Sequence, residues 1–182
     1  MTTIDQQPFV NAPMNRTAMK WGAIMGFAGI ILTLVFYFIS GKLDTKNPFQ
    51  MVLGFAIIIG GLIMCVKEQR DELQNGYISF GRALGVAMLA VLFSSIISGF
   101  FTYVFLKFGA PDLMQNMLTE MEDTLREQGK NDEEIEMTIN MMGKMMQPGF
   151  ITLSGIFMSA LMSLVPALII AAVMKKEQEA GF

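Results

Sequence analysis

Four stretches of this chain contain no Asp, Glu, Lys or Arg: Trp21 to Ser40, Phe49 to Val66, Ala83 to Leu106 and Phe150 to Met174, with lengths of 20, 18, 24 and 25 residues. A bilayer core about 30 Å thick is crossed by about 20 apolar residues, each rising about 1.5 Å along a helix. Each stretch is therefore long enough to span, the second only just. Buried helices of soluble proteins rarely run so far without a charge, and here four do. In hydrocarbon every backbone N–H must be satisfied within its own segment, so these runs are expected as helices and not as strands. The fold class is all-α: a polytopic membrane protein with transmembrane helices at 21–40, 49–66, 83–106 and 150–174, its partner solvent being the lipid bilayer.

Composition agrees and removes several functions. Only 16% of the 182 residues are charged and 53% are apolar, whereas soluble domains carry about 25% charge. One cysteine, Cys65, excludes an internal disulfide framework and a Cys-rich zinc site. The absence of histidine removes the commonest general base and metal ligand. No basic cluster exists that could neutralise phosphates, so nucleic acid is not an expected partner. We expect no catalytic residues, no cofactor and no metal.

Residues 1–20 form a polar tail with Pro8, Asn11, Pro13 and Asn15, and no short apolar core with a cleavage site precedes the first span. That span is expected to be retained as a signal anchor. It begins at Trp21 and has Tyr37 near its end, where amphipathic rings favour the headgroup level. Residues 21–174 make one membrane domain, and 175–182 a second tail. Arg16, Lys20, Lys67, Arg70, Arg82, Lys175 and Lys176 flank the spans on one side, against Lys42, Lys46, Lys107 and Lys144 on the other. This bias predicts a bacterial inner-membrane protein with both termini in the cytoplasm and residues 107–149 outside.

That outer segment is unusual. Between Pro111 and Met146 stand nine acids and three bases, a net charge of −6, while the rest of the chain sums to +3. Apolar residues recur at helical spacing, at Met114, Met117, Leu118, Met121 and Leu125, and again at Ile135, Ile139, Met142, Met145 and Met146. The expectation is an extramembrane amphipathic helical hairpin over 111–146. Pro111 suits its start, Gly129 the end of its first helix, and Asn131 with Glu134 a capping box for the second. Glu120, Glu122 and Asp123 read as a solvated acidic face and not as paired catalytic carboxylates. Met141, Met142, Met145 and Met146 have a thioether spacing that could hold Cu(I). Met is also an adaptable filler of apolar faces, which is the plainer reading.

Within the spans, the lack of ionisable groups other than tyrosines and Cys65 argues against a proton relay or an ion pathway, which need charged groups among the helices. Small residues are instead arranged in stripes. Gly155, Ser159, Ser163, Ala167 and Ala171 follow at intervals of four in the last span. Gly81 and Gly85, then Ser94 and Ser98, do so in and before the third, with Ser95 and Gly99 beside them, and Ala18, Gly22 and Gly26 in and before the first. Such patterns let backbones approach closely, either inside one bundle or against another membrane protein. Pro166 predicts a kink between Leu161 and itself, and Ser79 is placed to cap the third helix.

Several segments together resemble a known family. They are Gly76-Tyr77-Ile78-Ser79-Phe80-Gly81 before the third span, Ser98-Gly99-Phe100-Phe101-Thr102-Tyr103 at its far end, and Glu127-Gln128-Gly129 before Asp132-Glu133-Glu134-Ile135-Glu136. Pro148-Gly149-Phe150, which opens the last span, completes the set. In order and spacing these resemble the bacterial membrane-protein family termed domain of unknown function 4199, over about residues 16–176. The resemblance implies a small four-helix inner-membrane protein with no catalytic residues to carry over. It also implies, by genomic association, a membrane glycosyltransferase as a partner.

From all this the first expectation is a non-enzymatic accessory or scaffold subunit. It would bind another membrane protein, or a second copy of itself, through the small-residue faces or through an arm carrying Met114, Met117, Met121, Met142 and Met145. The alternative is a small transporter or lipid-binding protein, distinguished by a cavity between its helices. An enzyme acting on a lipid-linked substrate is the weakest reading, because no nucleophile and base pair is present.

Overall fold

The computed structural model of the protein describes residues 13–40 and 47–176. Within them the order is α1 (Met14–Ser40), α2 (Pro48–Asp71), α3 (Phe80–Val104), a π-helical turn (Phe105–Gly109), α4 (Asp112–Glu127), α5 (Asp132–Met145) and α6 (Pro148–Met174). No strand occurs among the described residues. Four helical segments, Met14–Ser40, Pro48–Asp71, Phe80–Gly109 and Pro148–Met174, are long and apolar enough to cross a membrane, so the chain is a multi-pass, all-helical membrane protein. Most of the polar N-terminal tail, and Lys42 and Lys46 from the charge count, lie outside the described residues.

The helices overrun the uncharged stretches for a local reason. α1 begins at Met14, well before Trp21, because Arg16 and Lys20 sit on its exposed side while Thr17 and Ala18 are buried. α2 continues past Val66 to Asp71 because Glu68 and Arg70 find partners on neighbouring elements. Its start is set by Pro48 in the first turn and by Asn47, whose side-chain oxygen accepts from the Phe49 amide at 3.0 Å. The third span is α-helical only to Val104 and then widens into the π turn, closed by the Ala110 amide donating to the Phe105 carbonyl at 2.9 Å. α6 runs on through Pro166.

Ser79 corrects one expectation. It occupies the position before α3 in an extended conformation, but its hydroxyl makes no capping hydrogen bond. The entry to α3 is held instead by a two-bond bridge in which the Ile78 and Lys176 amides each donate to the other's carbonyl at 2.9 Å. Ile78 is buried under that bridge, which leaves Ser79 outside.

α4 and α5 contact each other. Gly129 between them has φ +75°, a backbone conformation that disfavours any side chain. Asn131 then caps α5, accepting from the Glu134 amide at 2.8 Å. Leu113 and Ile135 are the buried side chains of this pair.

α3 is the centre of the bundle, packed against α1 on one side and α6 on the other, with α2 lying on α1. Between lipid-solvated helices there is little hydrophobic driving force, so close van der Waals contact and interhelical hydrogen bonds must hold them together. Gly22 shows how close: a Cβ there would lie 2.6 Å from the Phe93 Cβ and 2.7 Å from the Ala90 carbonyl oxygen. On the other side a Cβ at Gly99 would lie 3.0 Å from Ile156.

This packing is not uniform along the bundle. Buried residues run from Thr17 to Gly26 in α1, Gly61 to Gln69 in α2 and Ser163 to Ala171 in α6. All three groups lie toward one end, where Leu62, Cys65, Val66, Val86, Ala87 and Ala167 form the core. The same end carries the charged cap. Glu68 accepts from Lys20 Nζ at 2.7 Å and from Trp21 Nε1 at 2.9 Å, and Arg70 reaches the Met174 carbonyl at 3.4 Å. At the opposite end the first halves of α2 and α6 and the last half of α1 contain no fully buried residue. There the helices are tied by a ring cluster, with Tyr37 edge-on to Phe105 at 5.2 Å and Phe36 near Phe49 at 6.3 Å, and by Ile156 of α6 packing on Gly99 of α3.

Candidate binding cleft

Four helices that touch tightly at one end and loosely at the other leave a space between them. Here it is a partly open cleft of about 390 Å³, within the range of small-molecule sites. Chain direction orders its wall. The deep end is formed by Met25 of α1, Ile58 of α2, Val91 of α3 and Ser163 of α6; Thr33, Gln50, Met51 and Ser98 stand toward the loose end. At 1.5 Å per residue, Ser163 lies ~22 Å from the start of α6 and ~16 Å from its end, close to the middle of the span.

Most of the wall is apolar, supplied by Met25, Leu32, Met51, Ile57, Ile58 and Val91, and no charged residue lines it. Its polar atoms are the hydroxyls of Thr33, Ser94, Ser95, Ser98, Ser159 and Ser163 and the amide of Gln50. Several are already satisfied. Ser95 donates to the Val91 carbonyl at 2.6 Å and Thr33 to the Gly29 carbonyl at 3.0 Å, the usual return of a helical hydroxyl to the preceding turn. The Ser159 hydroxyl stands 2.8 Å from both Ser95 Oγ and the Ile156 carbonyl, which links α6 to α3 across the wall. Ser98 reaches the Gly26 carbonyl on α1 at 3.4 Å. Among the described residues Ser94, Ser163 and Gln50 have no side-chain hydrogen-bond partner, although Ser163 is 3% exposed.

The small-residue stripes predicted from sequence separate here into three groups. Ser94, Ser98, Ser159 and Ser163 come together on the cleft. Ala167 and Ala171 continue the α6 stripe into the packed core. Gly81 and Gly155 are exposed, with nothing within 4 Å of an added Cβ, and Gly85 meets only Met14. Met114, Met117, Met121, Met142 and Met145 are remote from the cleft, on α4 and α5, where Met117 and Met145 are exposed and the others half-buried. Among the described residues no group of three or more His, Cys, Asp and Glu is placed to hold a metal ion.

Sequence reasoning missed the far wall: Gly29 and Thr33 of α1, and Gln50 and Gly54 of α2. A signal existed in Gln50, a strongly polar side chain in the first turn of an otherwise apolar span, and in Gly54 one turn later.

A family model described as protein of unknown function (DUF4199) matches residues 20–176. No curated protein and no solved structure matches the chain.

Proposed function

The chain belongs to the DUF4199 family, and from that premise, together with the cleft, we propose that it is a non-enzymatic membrane protein that binds an apolar molecule drawn from the bilayer. The observation that carries this reading is the cleft itself: a mostly apolar recess with a few convergent polar groups, reached from within the spans. A tightly packed interior would have removed it. The cavity thus raises the lipid-binding alternative above the scaffold reading. Orientation is part of the proposal: the charged cap and both termini face the cytoplasm of the bacterial cell, and α4 with α5 stands outside the inner membrane.

The test uses Gly54. It lines the cleft and has open space around an added Cβ, so Gly54→Phe fills the recess without striking a neighbour at its base. Wild-type protein purified in mild detergent is expected to retain about one apolar lipid per chain by mass spectrometry of the extract, and Gly54→Phe to lose it. Equal retention by both counts against the reading.

A second reading keeps the accessory subunit, with a membrane glycosyltransferase or a second copy of the chain as partner. It is favoured by apolar side chains left open on and beside the arm, among them Phe108 at 71% exposure and Met137 at 69%. Light scattering in detergent tests the self-association form, and a solitary monomer at every concentration counts against it. Affinity capture tests the other, and recovery without a glycosyltransferase counts against that partner.

A further inference from the structure

The cleft reading says only that something apolar enters; the chemistry of the floor says more. In a wall facing hydrocarbon, an unpaired hydroxyl is costly, and a helical serine normally returns its proton to the carbonyl one turn back, as Ser95 does. Ser163 does not. It lies near mid-span, lines the cleft, is 3% exposed, and its side chain has no hydrogen-bond partner among the described residues. One turn away stands the Ser159–Ser95 pair at 2.8 Å, and Ser94 on α3 offers a second hydroxyl in the same wall with no partner among the described residues. No charged side chain lines the cleft to balance a charged group.

Resting on the binding reading above, we infer that the cleft selects an uncharged apolar molecule bearing a hydroxyl or carbonyl oxygen, which it takes oxygen-first so that this oxygen meets Ser163 and Ser94. A charged headgroup is excluded at this depth by desolvation. An unfunctionalised chain would leave both hydroxyls unpaired, which weakens its binding relative to a chain that pairs them. The volume of about 390 Å³ is toward the small end of ligand sites, which run from about 300 to about 1,000 Å³. The ligand, or the part of it that enters, is therefore compact.

Three probes with a common skeleton separate the possibilities: 1-dodecanol, which donates and accepts; 2-dodecanone, which only accepts; and n-dodecane, which does neither. Each is titrated into the full-length protein in maltoside detergent, and bound adducts are counted by native mass spectrometry. The wild type is expected to bind the alcohol and the ketone about 3- to 10-fold more tightly than the alkane, the worth of one hydrogen bond. Ser163→Ala is expected to abolish that preference, the alcohol and the ketone then binding no more tightly than the alkane. Ser94→Ala, at a half-buried position, is expected to reduce the preference and serves as the second variant should Ser163→Ala not fold. Equal binding of all three probes to the wild type, or a preference that survives both substitutions, overturns the inference and leaves the binding reading standing. Failure of every probe to bind, with no lipid lost from Gly54→Phe, overturns the binding reading as well.

Discussion

Glycine carries most of the packing at the scale of single residues, and its effect depends on where it stands. Gly22 has no room for a side chain between α1 and α3, whereas Gly54 faces open space. Gly22→Ala is expected to destabilise the bundle by about 1–3 kcal/mol through overpacking, and Gly54→Ala to leave it unchanged. Thermal unfolding of the two variants in the same detergent compares them directly. Glu68 makes a parallel case for polar groups. Its carboxylate is largely covered and accepts from both Lys20 and Trp21, so Glu68→Ala is expected to lower stability by about 1–3 kcal/mol. Arg126→Ala removes an exposed pair with Glu122, one helical turn away, and should cost no more than about 0.5 kcal/mol. Chemical denaturation of both variants tests the contrast. The sequence displays both pairs as charges near helical segments; the cover over Glu68 comes from α1 folding back onto α2, which residue spacing does not encode.

Between the residue and the bundle stand the elements, and here local chemistry is the stronger guide. Four spans, a break at Gly129 and a cap at Asn131 were all readable because each depends on nearest neighbours along the chain: hydrophobic run length, a positive φ, and a side-chain oxygen three residues ahead of an orphan amide. Asn131→Ala is expected to cost α5 about 1 kcal/mol. That should appear as faster hydrogen exchange of the first-turn amides of α5 with no change in α3. Ser79 failed as a cap for the opposite reason. Its place is set by a contact between Ile78 and Lys176, nearly a hundred positions apart. The π turn at Phe105–Gly109 was equally invisible, since nothing in Phe-Leu-Lys-Phe-Gly distinguishes a wide turn from an ordinary one.

At the scale of the whole molecule the governing asymmetry is a closed, charged end and a loose, ring-bordered one. Spin labels on Val52 and Leu153, exposed at the loose end, are expected to give a broader distance distribution than labels on Met64 and Leu168, exposed at the closed end. Pulsed dipolar spectroscopy measures both, and equal widths would contradict the asymmetry. Topology is tested in intact cells with an impermeant maleimide. A cysteine at Thr124 on α4 should react and one at Asn75 in the loop before α3 should not. The reverse pattern would invert the proposed orientation. Cys65 is fully buried and should contribute no background.

By itself the sequence determined the solvent, the class and the punctuation: uncharged runs of span length can only be helices in hydrocarbon, because each must satisfy its own backbone. It also displayed the serine stripes, since a period of four is a property of one helix. Which stripe would be packed and which would face a void was decided by tertiary structure. Ser94, Ser98, Ser159 and Ser163 meet around one recess because α2 and α6 have their fully buried residues toward Leu62 and Ala167. How far two helices diverge depends on contacts summed along their whole length, a quantity that no local pattern holds.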